Sequence, residues 1–249
     1  MPGFEHDGYA VMLSSLPDRV ALAARWDAAQ ELLAVPAADE AAPVRLAVAD
    51  NPCAPFDADC LLVRDPVEAI RVSLARKLAG HAAEMADLVP APAWDALRLL
   101  ARDRAQEVRH AVADALTDMP DAPHDLVLDL ACDRELRVCE PLIRLSGVLT
   151  QEDLLGLVRA PPQAHSRSAV ARRLGVDERL ADAVVASGDD AAILALLRNP
   201  TARLAPATLN VLAKMAARQD GLAEALSRAR DRDAPQDDLK VYVIEPSQM

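Results

Sequence analysis

The sequence predicts an all-α protein in which helical hairpins stack into a solenoid. Hydrophobic residues make up 52% of the 249 residues, yet aromatic residues make up only 2%. Alanine, leucine and valine suit closely packed helices, whereas β-sheets favour β-branched and aromatic side chains. A phrase centred on an arginine also recurs, and its apolar positions have the spacing of one helical face. Because one hairpin cannot bury such a face alone, neighbouring hairpins must stack.

The clearest copy of the phrase is DRAQEVRHAVADAL, which runs from Asp103 to Leu116. In three copies an aspartate precedes the arginine by six positions, namely Asp39 with Arg45, Asp65 with Arg71 and Asp103 with Arg109. Looser copies surround Arg137 and Arg167. The successive arginines lie 26, 38, 28 and 30 residues apart, an irregular period that is typical of helical-hairpin solenoids.

This spacing of aspartate and arginine resembles that of HEAT-type repeats, so the expected fold class is a HEAT-like α-α superhelix. The resemblance implies that the aspartate lies near the start of the second helix of a unit and the arginine further along it. Side chains at these positions tend to form a ladder between stacked units. We therefore interpret the three pairs as structural, because a partly buried row of ion pairs mainly fixes the register between repeats.

Three regions follow from the helical pattern. We expect a flexible N-terminal arm over residues 1–14, a helical repeat domain of about five to seven hairpins over 15–230, and a C-terminal tail over 231–249. Within the tail, the alternation in LKVYVI (239–244) is compatible with a short strand, a partner-binding segment or a docked tail.

Capping residues, prolines and glycines predict the helix boundaries. Capping boxes begin helices at Ser15 and Thr150, and Gly80 predicts a helix end. Two prolines between 81 and 92 indicate a connection or a broken helix. The predicted helices cover 15–35, 39–49, 57–62, 66–79, 93–101, 106–116, 125–131, 135–145, 150–158, 164–174, 177–187, 189–198, 207–218 and 222–230.

The acidic composition argues against several classes of function. The chain has 27 Lys and Arg against 39 Asp and Glu, which gives a net charge of −12. A nucleic-acid binder or a protein of anionic membrane surfaces needs a basic face. No stretch reaches the roughly 18 to 20 apolar residues of a membrane span, and MPGFEHDGYA lacks the order of a signal peptide. We therefore expect a cytoplasmic protein with reduced thiols.

The first 60 residues carry three basic and ten acidic side chains, a net charge of −7. This end is either a solvated cap, which we favour, or a docking surface for a basic partner.

The candidate catalytic and metal-binding residues are sparse. The cysteines form the pairs Cys53 with Cys60 and Cys132 with Cys139, each seven apart, whereas zinc ligands usually have two to four intervening residues. No histidine has a metalloprotease or deaminase spacing, and the eight glycines do not form a phosphate-binding loop. We therefore predict no catalytic residue, no metal site and no cofactor.

One basic cluster stands out in this acidic chain. Residues 159–179 contain five arginines and two acidic residues, a net charge of +3. Our hypothesis is that Arg159, Arg167, Arg172 and Arg173 converge on an acidic partner or a phosphate. The alternative, which we favour, is a solvated helix face with one ladder arginine.

Two phrases in the second half resemble a known family. They are CEPLIRLSGVLTQEDLLGLV (139–158) and SRSAVARRLGVDERLADAVVASGDDAAILALLRNPTARL (166–204). They are similar to the alphaproteobacterial domain-of-unknown-function family DUF2336, over roughly residues 40 to 215 and most strongly from Cys139 onward. The resemblance implies an all-α, HEAT-like repeat protein in a bacterial cytoplasm. The family carries no assigned reaction, so its motif positions Glu140 to Leu142, Arg172 and Asn199 are expected to serve repeat packing.

The function expected from these observations is a non-enzymatic scaffold or adaptor for an unknown protein partner, with a regulatory role. The alternative is a HEAT-like nucleic-acid-binding protein, which the acidic charge and scarce aromatic residues oppose. A third hypothesis is a small enzyme or lyase on a helical-repeat scaffold. A basic concave face would favour nucleic acid, a mixed-charge or apolar face would favour protein, and a closed pocket with titratable groups would favour an enzyme.

Overall fold

The computed structural model describes residues 15–27, 33–85, 91–217 and 220–233. The regular structure of these residues is entirely helical, with fourteen α-helices, one short 3-10 helix and no strand, which confirms the predicted all-α class for this part of the chain. The predicted arm over 1–14 and the segment 239–244 lie outside the described residues.

The helices follow one another along the chain. Their bounds are α1 Leu16–Ala23, α2 Ala42–Asp50, α3 Phe56–Leu62, α4 Glu68–Met85, α5 Ala91–Leu100, α6 Gln106–Thr117, α7 His124–Ala131, α8 Leu136–Leu145, α9 Gln151–Arg159, α10 Ser166–Ala171, α11 Glu178–Ala186, α12 Asp190–Arg198, α13 Pro206–Ala216 and α14 Asp220–Asp233. The 3-10 helix spans Pro36–Ala38.

The helices form two layers. The even-numbered helices from α2 to α14 pack side by side in chain order, and each odd-numbered helix from α3 to α13 packs against the even-numbered helix that follows it. Buried aliphatic side chains form one continuous cluster from Ala23 to Ala229. Leu74, Leu116 and Leu142, on three successive even-numbered helices, are fully buried in it. Burial between layers therefore extends along the whole stack.

Two helix boundaries differ from the sequence prediction by more than three residues. The first helix ends at Ala23 and does not continue through Trp26, whose side chain is 77% exposed. The predicted stop at Gly80 is also wrong, because α4 continues to Met85. A glycine inside a helix costs only about 1 kcal/mol, and burial of Leu78 and Ala82 on either side offsets that cost.

Two glycines set the direction of the chain around α11. Gly175 follows α10 with a φ of 71°, and Gly188 separates α11 from α12 with a φ of 67°. A side chain is strained in this left-handed conformation, so glycine fits both turns. The amide of Gly175 also donates to Thr201 Oγ1 at 2.9 Å, which joins this turn to the end of α12.

Candidate functional site

The predicted ladder residues form ion pairs between consecutive even-numbered helices. Arg45 Nε donates to Asp65 Oδ2 at 2.6 Å, and its Nη1 donates to the backbone oxygen of Asp39 at 2.8 Å. Arg45 thus joins the start of its own helix, α2, to the aspartate that precedes the next even-numbered helix, α4. The same contacts recur for Arg71 with Asp103 at 2.6 Å and for Arg109 with Asp133 at 2.7 Å, and Arg19 contacts Asp39 at 2.8 Å.

These ion pairs are largely shielded from water, since every side chain in the four pairs is at most 14% exposed. Burial raises the pKa of Asp65, Asp103 and Asp133, but hydrogen bonds from the arginines and from backbone amides outweigh burial and hold each pKa below its usual range. The aspartates are therefore ionised at neutral pH. Their geometry makes them structural residues that set the register of the stack.

The ladder ends at Cys139, which lies six positions after Asp133 and so occupies the place of a ladder arginine. Its Sγ lies 3.2 Å from His165 Nε2. Burial raises the pKa of this thiol to about 12, and the residue is 0% exposed. A neutral, enclosed thiol is a poor nucleophile, so we interpret the contact between Cys139 and His165 as packing between α8 and the residue before α10. Arg137 is not a ladder residue, because it pairs with Glu107 at 3.1 Å on the exposed surface.

Two asparagines make a second recurring contact, one in each half of the stack. Asn199 Nδ2 donates to the carbonyl oxygens of Ala171 at 2.9 Å and Arg173 at 2.6 Å, after the end of α10. Asn51 makes the matching pair of hydrogen bonds to Ala23 and Arg25 at the end of α1. Each asparagine thereby satisfies carbonyl groups that a helix end leaves without intrahelical partners.

Arg173, one of the four predicted partner-binding residues, donates hydrogen bonds within the fold. Its Nη1 donates to the carbonyl oxygen of Ile143 at 2.8 Å, and its Nη2 donates to that of Ser146 at 2.7 Å. The guanidinium therefore caps the C-terminus of α8, where a positive charge is favourable. Burial lowers the pKa of Arg173 below its usual value.

Arg159 and Arg167, two more of the predicted residues, line one cleft. It has a volume of about 980 Å³ and lies over α11, between the end of α9 and the loop that follows α12. Arg179 and Arg203 line the same cleft. Four guanidinium groups therefore share a concave surface of an acidic protein.

Three acidic side chains, Asp177, Glu178 and Asp182, also line this cleft. The cleft is thus of mixed charge, with four basic and three acidic groups. Two of the acids are already engaged. Asp177 Oδ1 accepts a hydrogen bond from the amide of Leu180 at 2.8 Å and caps α11, and Asp182 Oδ1 accepts one from the hydroxyl of Thr208.

The four arginines of the cleft differ in how many hydrogen bonds and ion pairs they form within the protein. Arg167 Nε donates to the carbonyl oxygen of Val158 at 2.8 Å, and its Nη1 lies 3.9 Å from Asp189. Arg179 pairs with the exposed Glu152 at 2.8 Å. Within the described residues, no ion pair or side-chain hydrogen bond engages Arg159 or Arg203. These two arginines are the ones most available to a ligand.

Arg172, the fourth predicted residue, lies apart from this cleft. Its Nη1 contacts Glu140 Oε1 at 3.0 Å, and its side chain lines a separate groove with Arg144 and Arg198. The structure therefore does not bring Arg159, Arg167, Arg172 and Arg173 to one surface: two line the cleft, one lines the groove and one caps α8. The reason is that the four residues lie on different elements: Arg159 ends α9, Arg167 lies on α10, and Arg172 and Arg173 follow the end of α10.

Sequence reasoning missed Arg203, Arg144 and Arg198 because they lie outside the dense basic segment. Arg203 reaches the cleft only through the turn after α12, and no short-range pattern indicates that position. The two asparagine contacts did leave a signal, since Asn51 and Asn199 both precede a proline directly after a helix. In the described part of the chain, no group of three or more His, Cys, Asp or Glu side chains has an arrangement that would hold a metal ion. None of the helices described combines the length and the hydropathy needed to cross a bilayer.

Residues 138–236 match the model of a family described as an uncharacterised protein conserved in bacteria, DUF2336. The family resemblance predicted from the sequence is confirmed over these residues, while residues 40–137 lie outside the match. The match begins next to Cys139, where the ladder ends, and it contains the whole arginine-lined cleft. No curated protein and no solved structure matches the chain.

Proposed function

We propose that this chain, whose residues 138–236 match DUF2336, is a non-enzymatic scaffold or adaptor that binds a protein partner through the arginine-lined cleft. The observation that carries the proposal is the mixed charge of the cleft, in which Arg159 and Arg203 have no ion-pair partner among the described residues. A bacterial cytoplasm and a regulatory role belong to the same proposal.

The scaffold part of the proposal rests on the packing of the even-numbered helices. Side-by-side packing from α2 to α14, with a buried ion pair between neighbours in the first half, supports a HEAT-like α-α superhelix. Such a stack presents a long surface that neighbouring units extend, and partners of repeat proteins use surfaces of this kind.

The binding part rests on the chemistry of the cleft. Arginine is enriched at protein interfaces because its planar guanidinium makes bidentate hydrogen bonds with carboxylates. The three acidic residues of the lining would repel a phosphate backbone, and no aromatic ring lines the cleft to stack on a base. A protein surface with carboxylates opposite Arg159 and Arg203 fits the lining better than a nucleic acid does.

The test is an affinity purification of the tagged full chain from an extract of its own cells, at moderate salt, with and without nuclease. Three forms are compared: the native chain, the double variant Arg159→Glu and Arg203→Glu, and the control Arg64→Glu and Arg76→Glu. The control makes the same change in charge at two exposed arginines that have no ion pair within the described residues.

The proposal predicts a stoichiometric protein that the native chain and the control retain after nuclease treatment and that the cleft variant loses. Retention of nucleic acid, with co-purifying proteins lost on nuclease treatment, would favour the nucleic-acid alternative. Equal retention by the cleft variant and the native chain would place the partner elsewhere on the stack.

A further inference from the structure

We propose that the groove between α8, α10 and α12 is a second binding site, which takes an acidic peptide segment with an aliphatic anchor from a partner protein. The groove has a volume of about 580 Å³. It shares no lining residue with the arginine-lined cleft. The inference therefore goes beyond the proposed function and is tested independently of it.

The position of the groove makes it accessible from the even-numbered layer. It is lined by Arg144 from α8, by Arg172 and Leu174 after α10, and by residues of α12. The cleft instead lies over α11, in the odd-numbered layer. One partner could therefore occupy the cleft while another occupies the groove.

The floor of the groove is aliphatic. Leu194, Ala191 and Ala195 contribute one face of α12, and Pro200 closes the end. Leu174 lies at the edge with its side chain 68% exposed. An exposed leucine beside a concave apolar floor is a feature of interaction sites, because covering it removes apolar surface from water.

The charged rim of the groove is entirely basic. Its lining includes Arg144, Arg172 and Arg198, and no acidic side chain lines it within the part of the chain that the structure describes. Glu140, outside the lining, lies 3.8 Å from Arg144 and 3.0 Å from Arg172, so one carboxylate serves two guanidinium groups. Arg198 forms no ion pair with the described residues. Positive charge therefore exceeds negative charge at the rim.

Charge complementarity indicates which class of ligand the groove would bind. Carboxylates of a partner would pair with Arg198 and Arg144, and an aliphatic side chain between them would cover Leu174. Single-stranded nucleic acids would also meet the positive charge, but their bases bind through aromatic stacking platforms, and this lining is aliphatic. An acidic peptide segment with leucine-like anchors matches both the rim and the floor.

The test uses a fluorescein-labelled twelve-residue peptide of glutamate pairs separated by leucines. Fluorescence anisotropy measures its affinity for the full chain and for Arg198→Glu, Arg144→Glu and Leu174→Ser variants. The matched control is Arg76→Glu, an exposed arginine on the even-numbered helix α4 without an ion pair in the described residues. A peptide with glutamine in place of glutamate tests the need for charge.

The expected result is saturable binding that falls about tenfold or more with either Arg198→Glu or Arg144→Glu, falls with Leu174→Ser, and is nearly unchanged with Arg76→Glu. Binding of the glutamine peptide should be weaker than that of the glutamate peptide. The double variant at Arg159 and Arg203 should keep the affinity, which separates this site from the cleft.

Three results would overturn the inference. The first is the absence of saturable peptide binding to the native chain. The second is an equal loss with Arg76→Glu and Arg198→Glu, which would reduce the effect to net charge. The third is displacement of the peptide by a single-stranded oligonucleotide that binds more tightly and loses affinity with the same groove variants.

Discussion

The two halves of the stack use their aspartates differently. Before Cys139, Asp65 and Asp103 each accept hydrogen bonds from an arginine of the preceding even-numbered helix as well as from a nearby backbone amide. After Cys139, Asp177 and Asp189 accept hydrogen bonds from amides of their own helices, at Leu180 and Ala192. The guanidinium of Arg167 approaches Asp189 only to 3.9 Å. Aspartates in the second half therefore mainly cap their own helices.

The charges of the two halves follow the same division. Residues 1–137 contain 24 acidic and 13 basic side chains, a net charge of −11. Residues 138–236 contain 12 acidic and 13 basic side chains, a net charge of +1. The acidic half holds four of its arginines, Arg19, Arg45, Arg71 and Arg109, in largely buried ion pairs. The nearly neutral half instead places arginines along two concave surfaces. The contrast suggests that the first half mainly supports the stack and that the second half carries the binding surfaces.

The largest expected effect comes from breaking the ladder. Asp103→Ala should lower the free energy of unfolding by about 3–5 kcal/mol, because it leaves Arg71 buried without its carboxylate. Glu107→Ala removes the exposed pair with Arg137 and should cost less than about 1 kcal/mol. Urea unfolding of both variants measures the difference. Similar costs for the two variants would mean that the ladder does not set the register of the first half.

The next largest effect should come from Asn51 and Asn199, which make the same contact in the two halves. Asn51→Ala and Asn199→Ala should each cost about 1–3 kcal/mol, since each leaves two carbonyl groups without their donor. Asn→Asp at the same positions should be at least as harmful, because the carboxylate keeps the size but loses the donors. Thermal unfolding measures both series. A cost at Asn51 with none at Asn199 would show that the second half closes its helices by other means.

The sequence was most informative where partners repeat at a fixed spacing. The six-residue step from aspartate to arginine predicts that Asp65 and Arg71 lie near the start of one helix. The partner of each arginine, in contrast, lies 20 to 32 residues away, and only the packing of neighbouring helices identifies it.

The candidate sites were less predictable, because residues that are distant in the sequence form them. A local count of charge found Arg159 and Arg167 but also Arg172 and Arg173, because it ignores which element each arginine lies on and where its side chain points. It missed Arg203, which the turn after α12 brings into the cleft. The count of charges therefore identified the arginine-rich segment 159–179. The fold places its arginines in a cleft, in a groove and at a helix end.

Acid should weaken the buried ladder of the first half. The pKa of Asp65, Asp103 and Asp133 is lowered in the folded protein, whereas an unfolded aspartate titrates near about 3.9. Their contribution to stability is complete above that value and is lost as the pH falls through the lower folded pKa. Asp103→Asn should thus flatten the pH dependence of unfolding between about pH 5 and pH 2. An unchanged slope would mean that the ladder carboxylates do not control acid unfolding.

The smallest expected effect on stability belongs to the cleft. Arg159→Glu and Arg203→Glu should each change the free energy of unfolding by less than about 0.5 kcal/mol, because neither arginine has an ion pair in the described residues. Arg173→Ala, which removes the cap on α8, should cost about 1–3 kcal/mol. A large loss at Arg159 or Arg203 would give these residues a structural role and weaken the binding proposal.

The most direct test of the division between the halves is hydrogen exchange of the full chain, alone and with the protein that it retains in affinity purification. The account predicts added amide protection from about α9 to α12, over the residues that line the cleft, with little change from α2 to α6. Added protection confined to α2–α6 would contradict it, because the partner would then bind the half that we interpret as structural support.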